Sequence, residues 1–217
     1  MATPVSGYDL VIFDNDGVLI DSAPLALGVV VGLMNEIGWF LTVEEAAELF
    51  LGNSLGRATE LATERGFTVP ESFTRTFQER FFDSYRLHLQ ATPGVIDVLE
   101  HLTVPSFAVS GASKHQIALG LGLTGLLHHF DGRIISGDDV AEGKPAPDLF
   151  LHAAATLGVA PDRCAVVEDA PAGVDAAHAA GMTVFGYTAL TPARFIDHAN
   201  GGVFVDMAEL PDLLNGS

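Results

Sequence analysis

The sequence predicts an α/β protein in which a doubly wound, Rossmann-like parallel sheet forms the core and an all-helical domain is inserted after the first strand. Two observations support this prediction. Short apolar runs rich in β-branched residues alternate with helical patterns from residue 92 to the end of the 217-residue chain. Residues 23–90, in contrast, carry helical apolar spacing without a convincing strand.

The predicted strands are continuous apolar runs bounded by turn residues. Runs of this length are typical of strands buried on both faces of a parallel sheet, with helices covering each side. The strands are predicted at residues 10–13, 105–109, 132–135, 164–167, 183–185 and 202–205. The helices between them are predicted at residues 94–102, 114–121, 147–157 and 173–180.

The inserted domain is predicted over residues 22–91, which leaves residues 1–21 and 92–217 for the core. Within it, several stretches place apolar residues at helical spacing. The turn Thr92-Pro93-Gly94 then leads back into the core. Residues typical of helix boundaries separate the stretches, with Ser54 and Pro70 near predicted starts and Gly38, Gly52 and Gly66 near predicted ends.

The charge of the chain restricts its partners. Its formal net charge is −18 at pH 7, whereas proteins that bind nucleic acid or anionic membranes neutralise phosphates with lysine and arginine. We therefore expect no nucleic-acid or membrane partner, and we expect any anionic ligand to be small.

The single cysteine, Cys164, excludes an intramolecular disulfide. The sequence has no basic leader and no spanning apolar segment, so we expect a cytoplasmic protein. We expect a monomer, because the inserted domain has to move.

Chemically useful side chains follow four of the predicted strands. In open α/β sheets, ligands bind beyond the carboxyl ends of the strands. A single aspartate, serine or lysine at such a place is usually a turn, cap or surface residue. Several carboxylates at one edge repel each other, however, and favour a bound cation. The residues are Asp14 and Asp16 after the first strand, Ser110 after the second, Lys144 after the third, and Glu168 and Asp169 after the fourth.

Four motifs containing these residues occur in order along the chain: FDNDGVLIDS, VSGAS, GKPAPD and VVEDAPAG. In these motifs the chain resembles the haloacid dehalogenase superfamily of phosphotransferases. The similarity is to the branch with a helical cap inserted after the first strand, which contains β-phosphoglucomutase-like proteins and sugar-phosphate phosphatases. The resemblance covers essentially the whole chain and implies an enzyme of phosphoryl transfer.

The resemblance implies a role for each motif residue. Asp14 would be the nucleophile that forms an aspartyl-phosphate, and Asp16 would be the general acid for the leaving alcohol and then the general base for water. Lys144 would hold both Asp14 and the phosphoryl oxygens. Ser110 and Gly111 would contribute to binding the phosphoryl group.

The resemblance also implies Mg²⁺ as the cofactor. This ion prefers octahedral oxygen ligation and usually keeps several waters. The implied ligands are the Asp14 carboxylate, the Asp16 backbone carbonyl and the Asp169 carboxylate. Glu168 would bind the ion directly or through water.

Three further residues have expected roles. Arg57, at the start of a helix in the inserted domain, is the best candidate there for a substrate contact. Asn15 lies between the two aspartates, where we expect its backbone N–H to matter more than its side chain. Gly17 lets the backbone turn sharply beside the phosphate.

The predicted function is a Mg²⁺-dependent phosphatase acting on a small phosphorylated metabolite, a sugar phosphate or a sugar-acid phosphate. Dehalogenases of the superfamily lack an equivalent of Asp16. Phosphonate hydrolases use a lysine in the cap, whereas Lys114 and Lys144, the two lysines of this chain, both fall in the predicted core. These sibling activities therefore do not fit the sequence.

Two alternatives to a phosphatase stay open. In a β-phosphoglucomutase an arginine follows the serine of a G-x-S-R stretch and the first cap helix carries a histidine. Here the comparable stretch is Gly52-Asn53-Ser54-Leu55 and that helix has no histidine, which favours a hydrolase over a mutase. A non-catalytic binding protein on the same fold would be expected to lose at least one of the core motif residues, and Asp14, Asp16, Lys144 and Asp169 are all present.

Overall fold

The computed structural model describes residues 7–50 and 55–216. These residues form two compact units, one with the chain up to Ile20 and from Gln90 onward, and the other spanning Asp21–Leu89. We refer to them as the sheet unit and the helical unit. Gly52 and Ser54, predicted at a helix end and a helix start, lie outside the described residues.

The sheet unit is built on a six-stranded parallel sheet with the strand order β3-β2-β1-β4-β5-β6. The strands are β1 (Leu10–Asp14), β2 (Ser106–Val109), β3 (Ile134–Ile135), β4 (Cys164–Glu168), β5 (Thr183–Tyr187) and β6 (Val203–Phe204). Each strand overlaps a predicted apolar run, and the predicted fold class is confirmed. The edge strands β3 and β6 are shorter than predicted. Gly132 and Gly202, at the predicted starts, have left-handed φ angles of +79° and +97° that do not belong to a strand, and β6 also ends one residue early, before Val205.

The helices are distributed over the two units. The helical unit contains α1 (Ala23–Glu36), α2 (Val43–Phe50), α3 (Leu55–Glu64) and α4 (Phe73–His88). The sheet unit contains α5 (Val95–His101), α6 (Lys114–Leu123), α7 (Asp148–Leu157), α8 (Pro171–Ala179) and α9 (Leu210–Leu214). Within the described ranges, every helix is too short or too polar to cross a membrane.

Helices α7 and α8 cover one face of the sheet. Leu10 and Ile12 of β1 share a buried cluster with Leu149 of α7 and Val174 of α8. Successive side chains of a strand point to opposite faces, so Phe13 lies on the other side of the sheet, where it is also fully buried. Burial of both faces explains the uninterrupted apolar runs of the sequence.

The helical unit has a hydrophobic core of its own. The ring of Trp39 stacks on Phe67 with a centroid distance of 5.5 Å and meets Phe50 edge-on at 5.8 Å. Gly38 and Gly66, predicted near helix ends, follow α1 and α3 with φ angles of +91° and +87°. Glycine adopts this left-handed conformation without the steric penalty of a Cβ atom, so both residues end their helices as expected.

The strand order determines where a ligand can bind. Strand β1 lies between β2 and β4, with β3 beyond one neighbour and β5 and β6 beyond the other. Connections therefore lead away from β1 in both directions, and such a switch point opens a crevice at the carboxyl ends of the strands. Asp14 ends β1 and Glu168 ends β4, and the pairing of Phe13 with Val167 puts these two acidic residues side by side.

Candidate active site

The loop after β1 is a tight turn that follows the first aspartate directly. The backbone N–H of Asn15 donates to the carbonyl of Val109 at 3.2 Å, and the carbonyl of Asn15 accepts from Leu19 and Ile20 at 3.0 Å each. Gly17 has a φ of +84°, and a Cβ atom there would collide with the carboxylate of Asp169. Glycine is therefore required at this turn for both its backbone conformation and its lack of a side chain.

Asp16 and Ser110 lie close together at this edge. The Ser110 hydroxyl donates to Oδ2 of Asp16 at 3.5 Å, and it accepts from the backbone N–H of Ala112 at 3.1 Å. The side-chain amide of Asn15 donates to the same Asp16 oxygen at 3.1 Å. The backbone N–H of Asn15 donates within the sheet, and it is the side chain that contacts an acidic group. The expectation that the backbone N–H matters more stays a prediction.

Lys144 brings a positive charge to the ends of β1 and β4. Its ammonium group forms ion pairs with Oδ1 of Asp14 and Oε1 of Glu168. The side chain is only 14% exposed, and its Nζ lies 5.2 Å from the centroid of the Phe150 ring. Burial alone would lower the pKa of this lysine, but the attraction of Asp14 and Glu168 outweighs burial and raises it. Lys144 is therefore charged at neutral pH.

Glu168 is fully buried, and both of its oxygens have partners. Oε1 pairs with Lys144, while Oε2 accepts from the backbone N–H groups of Asp169 and Ala170 at 3.0 and 3.1 Å. Helix α8 begins at Pro171, directly after Ala170, and the positive end of its dipole faces this carboxylate. A Cβ atom on Gly173 would overlap the carboxylate, so the glycine makes room for it.

Three carboxylates converge at the switch point. One oxygen from each of Asp14, Glu168 and Asp169 lies within 4.8 Å of the other two. If all three were ionised, pairing with one Lys144 ammonium would leave a net charge of −2. Burial, together with the neighbouring negative charges, therefore raises the pKa of Asp14 to about 8 despite Lys144, and it raises the pKa of Asp169 as well.

The loops after β2 and β3 meet at two glycines. A Cβ atom on Gly137 would collide with the carbonyl oxygen of Gly111, and the backbone N–H of Gly137 donates to the carbonyl of Ala112 at 3.1 Å. This close approach holds the segment that carries Ser110. Gly111 itself is exposed, with open space where a side chain would be.

Arg57 belongs to the helical unit, where it pairs with acidic residues of its own helix. Its guanidinium lies 3.2 Å from Glu60 and 3.0 Å from Glu64, and hydrogen bonds to these two residues raise its pKa. An anionic substrate would have to compete with both carboxylates for this group. The predicted substrate contact through Arg57 stays a prediction.

Sequence reasoning did not anticipate three structural features of this edge: the contact of the Asn15 side chain with Asp16 and the missing side chains at Gly137 and Gly173. Asn15 and Gly173 lie inside the quoted motifs FDNDGVLIDS and VVEDAPAG, and Gly137 lies two residues after the end of β3. For Gly173 the sequence did contain a signal. Glycine is unfavourable inside a helix, so a glycine in the first turn of α8 indicates that another group occupies the space of its missing side chain.

Comparison with known proteins identifies the family. Residues 8–181 match the family model described as haloacid dehalogenase-like hydrolase. The chain belongs to the haloacid dehalogenase-like hydrolases. This confirms the family predicted from the four motifs, and it makes the chain an enzyme of the hydrolase class.

Individual haloacid dehalogenase-like proteins align over nearly the whole chain. A 6-phosphogluconate phosphatase of Escherichia coli (strain K12) is 31% identical, with 96% of each chain covered. A haloacid dehalogenase-like protein of unknown function from Agrobacterium tumefaciens strain C58 is 34% identical, with a TM-score of 0.90 and coverage of 96% of this chain and 98% of its own. A family hydrolase from Deinococcus radiodurans R1, solved with bound phosphate and sodium, is 30% identical with a TM-score of 0.83 and the same coverage.

Proposed function

We propose that this haloacid dehalogenase-like hydrolase is a Mg²⁺-dependent phosphatase that hydrolyses the phosphoric monoester of a small sugar acid or sugar. The observation that carries the proposal is the arrangement of Asp14, with its carboxylate buried at the switch point and paired with Lys144. Similarity to a 6-phosphogluconate phosphatase over 96% of both chains supports the substrate class.

In the first half-reaction, a carboxylate oxygen of Asp14 attacks phosphorus and the bond between phosphorus and the alcohol oxygen breaks. Asp16 transfers its proton to that oxygen, so a neutral alcohol leaves and an aspartyl-phosphate remains. Lys144 contacts Asp14, and its positive charge would attract the phosphoryl oxygens. Ser110, near Asp16, supplies a hydroxyl donor at the same edge.

In the second half-reaction, Asp16 is ionised and takes a proton from water. The resulting hydroxide attacks phosphorus, the bond to Asp14 breaks, and inorganic phosphate leaves with the carboxylate restored. The proton that Asp16 gains restores the acid for the next cycle. One residue therefore serves both steps, which requires its carboxylate to face the reacting oxygen each time.

The acidic residues fit a hard divalent cation. Asp14, Glu168 and Asp169 offer carboxylate oxygens within 4.8 Å of one another, and oxygen ligands are those that Mg²⁺ prefers. Asp14 and Asp169 would hold the ion, with the backbone carbonyl of Asp16. Both Glu168 oxygens already have partners, which favours a contact of this residue through water. When bound, Mg²⁺ supplies positive charge that reduces repulsion between the nucleophile and the phosphate.

The proposal is tested by measuring phosphate release from 6-phosphogluconate, hexose 6-phosphates and hexose 1-phosphates with and without Mg²⁺. We expect release with at least one of these compounds, and loss of activity in EDTA that excess Mg²⁺ restores. Activity that survives complete chelation would contradict the cofactor. Conversion of a hexose 1-phosphate to its 6-phosphate without phosphate release would instead identify a mutase.

A second prediction concerns the stability of the metal-free protein. The pKa of Asp14 is 3.8 in a model peptide and about 8 in the fold, so the folded state holds a proton that the unfolded state has lost between these values. The resulting contribution to stability is present below pH 4 and disappears as the pH rises to about 8. Mg²⁺ would replace this proton, and its binding should therefore be stronger at high pH.

Thermal unfolding measures this linkage. At pH 8, Mg²⁺ at a hundred times its Kd should raise Tm by about 5–10 °C, and the same concentration should raise it much less at pH 5. In Asp169→Asn, which lacks one proposed ligand, the increase at pH 8 should disappear. Equal increases at both pH values would contradict the linkage to the acidic cluster.

A further inference from the structure

The side chain of Asn15 is buried between the two aspartates of the first motif. It is 1% exposed, and its Nδ2 donates to Oδ2 of Asp16 at 3.1 Å. Its Oδ1 is also buried, and it has no hydrogen-bond partner among the residues that the structure describes. The amide thus uses one end to contact Asp16 and leaves the other end unsatisfied.

An unsatisfied buried oxygen reduces the stability of the fold, because the oxygen has lost its hydrogen bonds to water. A leucine has the same branching as asparagine, would fill the position without this penalty, and cannot donate a hydrogen bond. The folding of the loop does not explain the amide either, because the loop is closed by backbone hydrogen bonds of Asn15, not by its side chain. The contact with Asp16 is the interaction that the amide alone provides.

We propose that Asn15 is a positioning residue whose side-chain amide fixes the orientation of the Asp16 carboxylate for proton transfer. This inference rests on the proposed function, in which Asp16 gives a proton to the leaving oxygen and later takes one from water. With Oδ2 held by Asn15, the carboxylate cannot rotate freely about its Cβ–Cγ bond. The Ser110 hydroxyl lies 3.5 Å from the same oxygen and favours the same orientation.

The direction of the amide follows from chemistry. If the amide were reversed, Oδ1 would face Oδ2 of an ionised Asp16 and the two acceptors would repel each other. The nitrogen must therefore point to Asp16 whenever the carboxylate is charged. A neutral donor is suited to this position, because it adds no charge to a site whose carboxylates already outnumber its lysine.

The variant Asn15→Leu tests the proposal by separating stability from catalysis. We expect its Tm to rise by about 2–4 °C, since the unsatisfied oxygen is removed. We expect its kcat/KM for an alkyl phosphate such as 6-phosphogluconate to fall about 10- to 100-fold. This loss is smaller than the full rate contribution of a general acid, because Asp16 itself is still present. A residue with only a structural role would lose stability and activity together.

Thr92→Val is the matched control. The Thr92 hydroxyl is also buried and without a hydrogen-bond partner in the described part of the chain, and the residue is 4% exposed. Valine keeps the branching and removes the oxygen, as leucine does at Asn15. Tm should rise while kcat/KM stays at the wild-type value, which shows that removing an unsatisfied oxygen does not itself impair catalysis.

The leaving group gives a second readout. Nitrophenolate leaves without a proton, so kcat/KM for 4-nitrophenyl phosphate should fall less than about threefold in Asn15→Leu, whereas the alkyl phosphate shows the full loss. Equal losses with both substrates, or wild-type kinetics with both, would overturn the role of Asn15. If Asn15→Leu does not fold, Asn15→Ala supports the same comparison. A wild-type enzyme that releases no phosphate from 4-nitrophenyl phosphate, 6-phosphogluconate or any of the hexose phosphates would instead refute the proposed function.

Discussion

Asp14→Asn is expected to reduce phosphate release at least about 10⁴-fold while the protein stays folded. An amide is too weak a nucleophile to form the aspartyl-phosphate, so the first half-reaction stops. The substitution also removes one negative charge from three crowded carboxylates that a single Lys144 cannot neutralise. We therefore expect Tm in the absence of metal to stay equal or to rise at pH 8, where the wild-type Asp14 is ionised in part.

Acid quenching after mixing with radiolabelled substrate measures the intermediate directly. The wild-type enzyme should retain up to one phosphoryl group per chain, and Asp14→Asn should retain none. Asp131→Asn is a suitable control, because this aspartate is exposed and its φ of +46° is one that asparagine tolerates. The control should keep wild-type turnover. Near-normal turnover in Asp14→Asn would rule out covalent catalysis by this residue.

Lys144→Met is expected to reduce both activity and stability. Methionine keeps the apolar stem of the side chain, yet Asp14 and Glu168 lose the cation that pairs with each of them. Removing one partner of a buried ion pair usually lowers the free energy of unfolding by about 3–5 kcal/mol. We expect kcat/KM to fall about 10³-fold, because the nucleophile and the phosphoryl oxygens lose the same positive charge.

The pH dependence of Lys144→Met distinguishes charge from packing. Protonation of Asp14 and Asp169, whose pKa values are raised, relieves the repulsion at low pH, so the loss of stability relative to wild type should be larger at pH 8 than at pH 5. Lys114→Met is the matched control, since Lys114 is largely exposed and lies 4.0 Å from Asp139. Such surface pairs contribute little, and this variant should be near wild type. An equal loss at both pH values would mean that Lys144 acts mainly through packing.

The strands β1 to β4 were predictable because all of their residues are buried. A buried parallel strand needs apolar side chains at consecutive positions, and this requirement is visible in the sequence itself, as at Leu10–Asp14 and Cys164–Glu168. Ends set by backbone conformation were harder to predict. Gly132 and Gly202 begin the predicted runs of the two edge strands but have left-handed φ angles, and residue type alone does not give a backbone angle.

The acidic residues of the site were also predictable, because the carboxyl ends of parallel strands meet at one edge. The contacts of each side chain, in contrast, were not predictable from the sequence. The sequence cannot show that Glu168 has both oxygens occupied by Lys144 and by two N–H groups before α8. It also cannot show that Arg57 pairs with Glu60 and Glu64. Such contacts depend on side-chain positions in three dimensions.

The sequence by itself determined the fold class, the family and the order of the acidic and basic residues along the sheet edge. These depend on residue type and spacing, which are properties of the chain. Only the tertiary structure decided how the two aspartates of the first motif are supported. Lys144, distant in sequence, pairs with Asp14, while the neighbouring Asn15 turns its side chain to Asp16 and its backbone N–H to Val109. A hydrogen bond needs a distance and a direction, and both exist only once the sheet has formed.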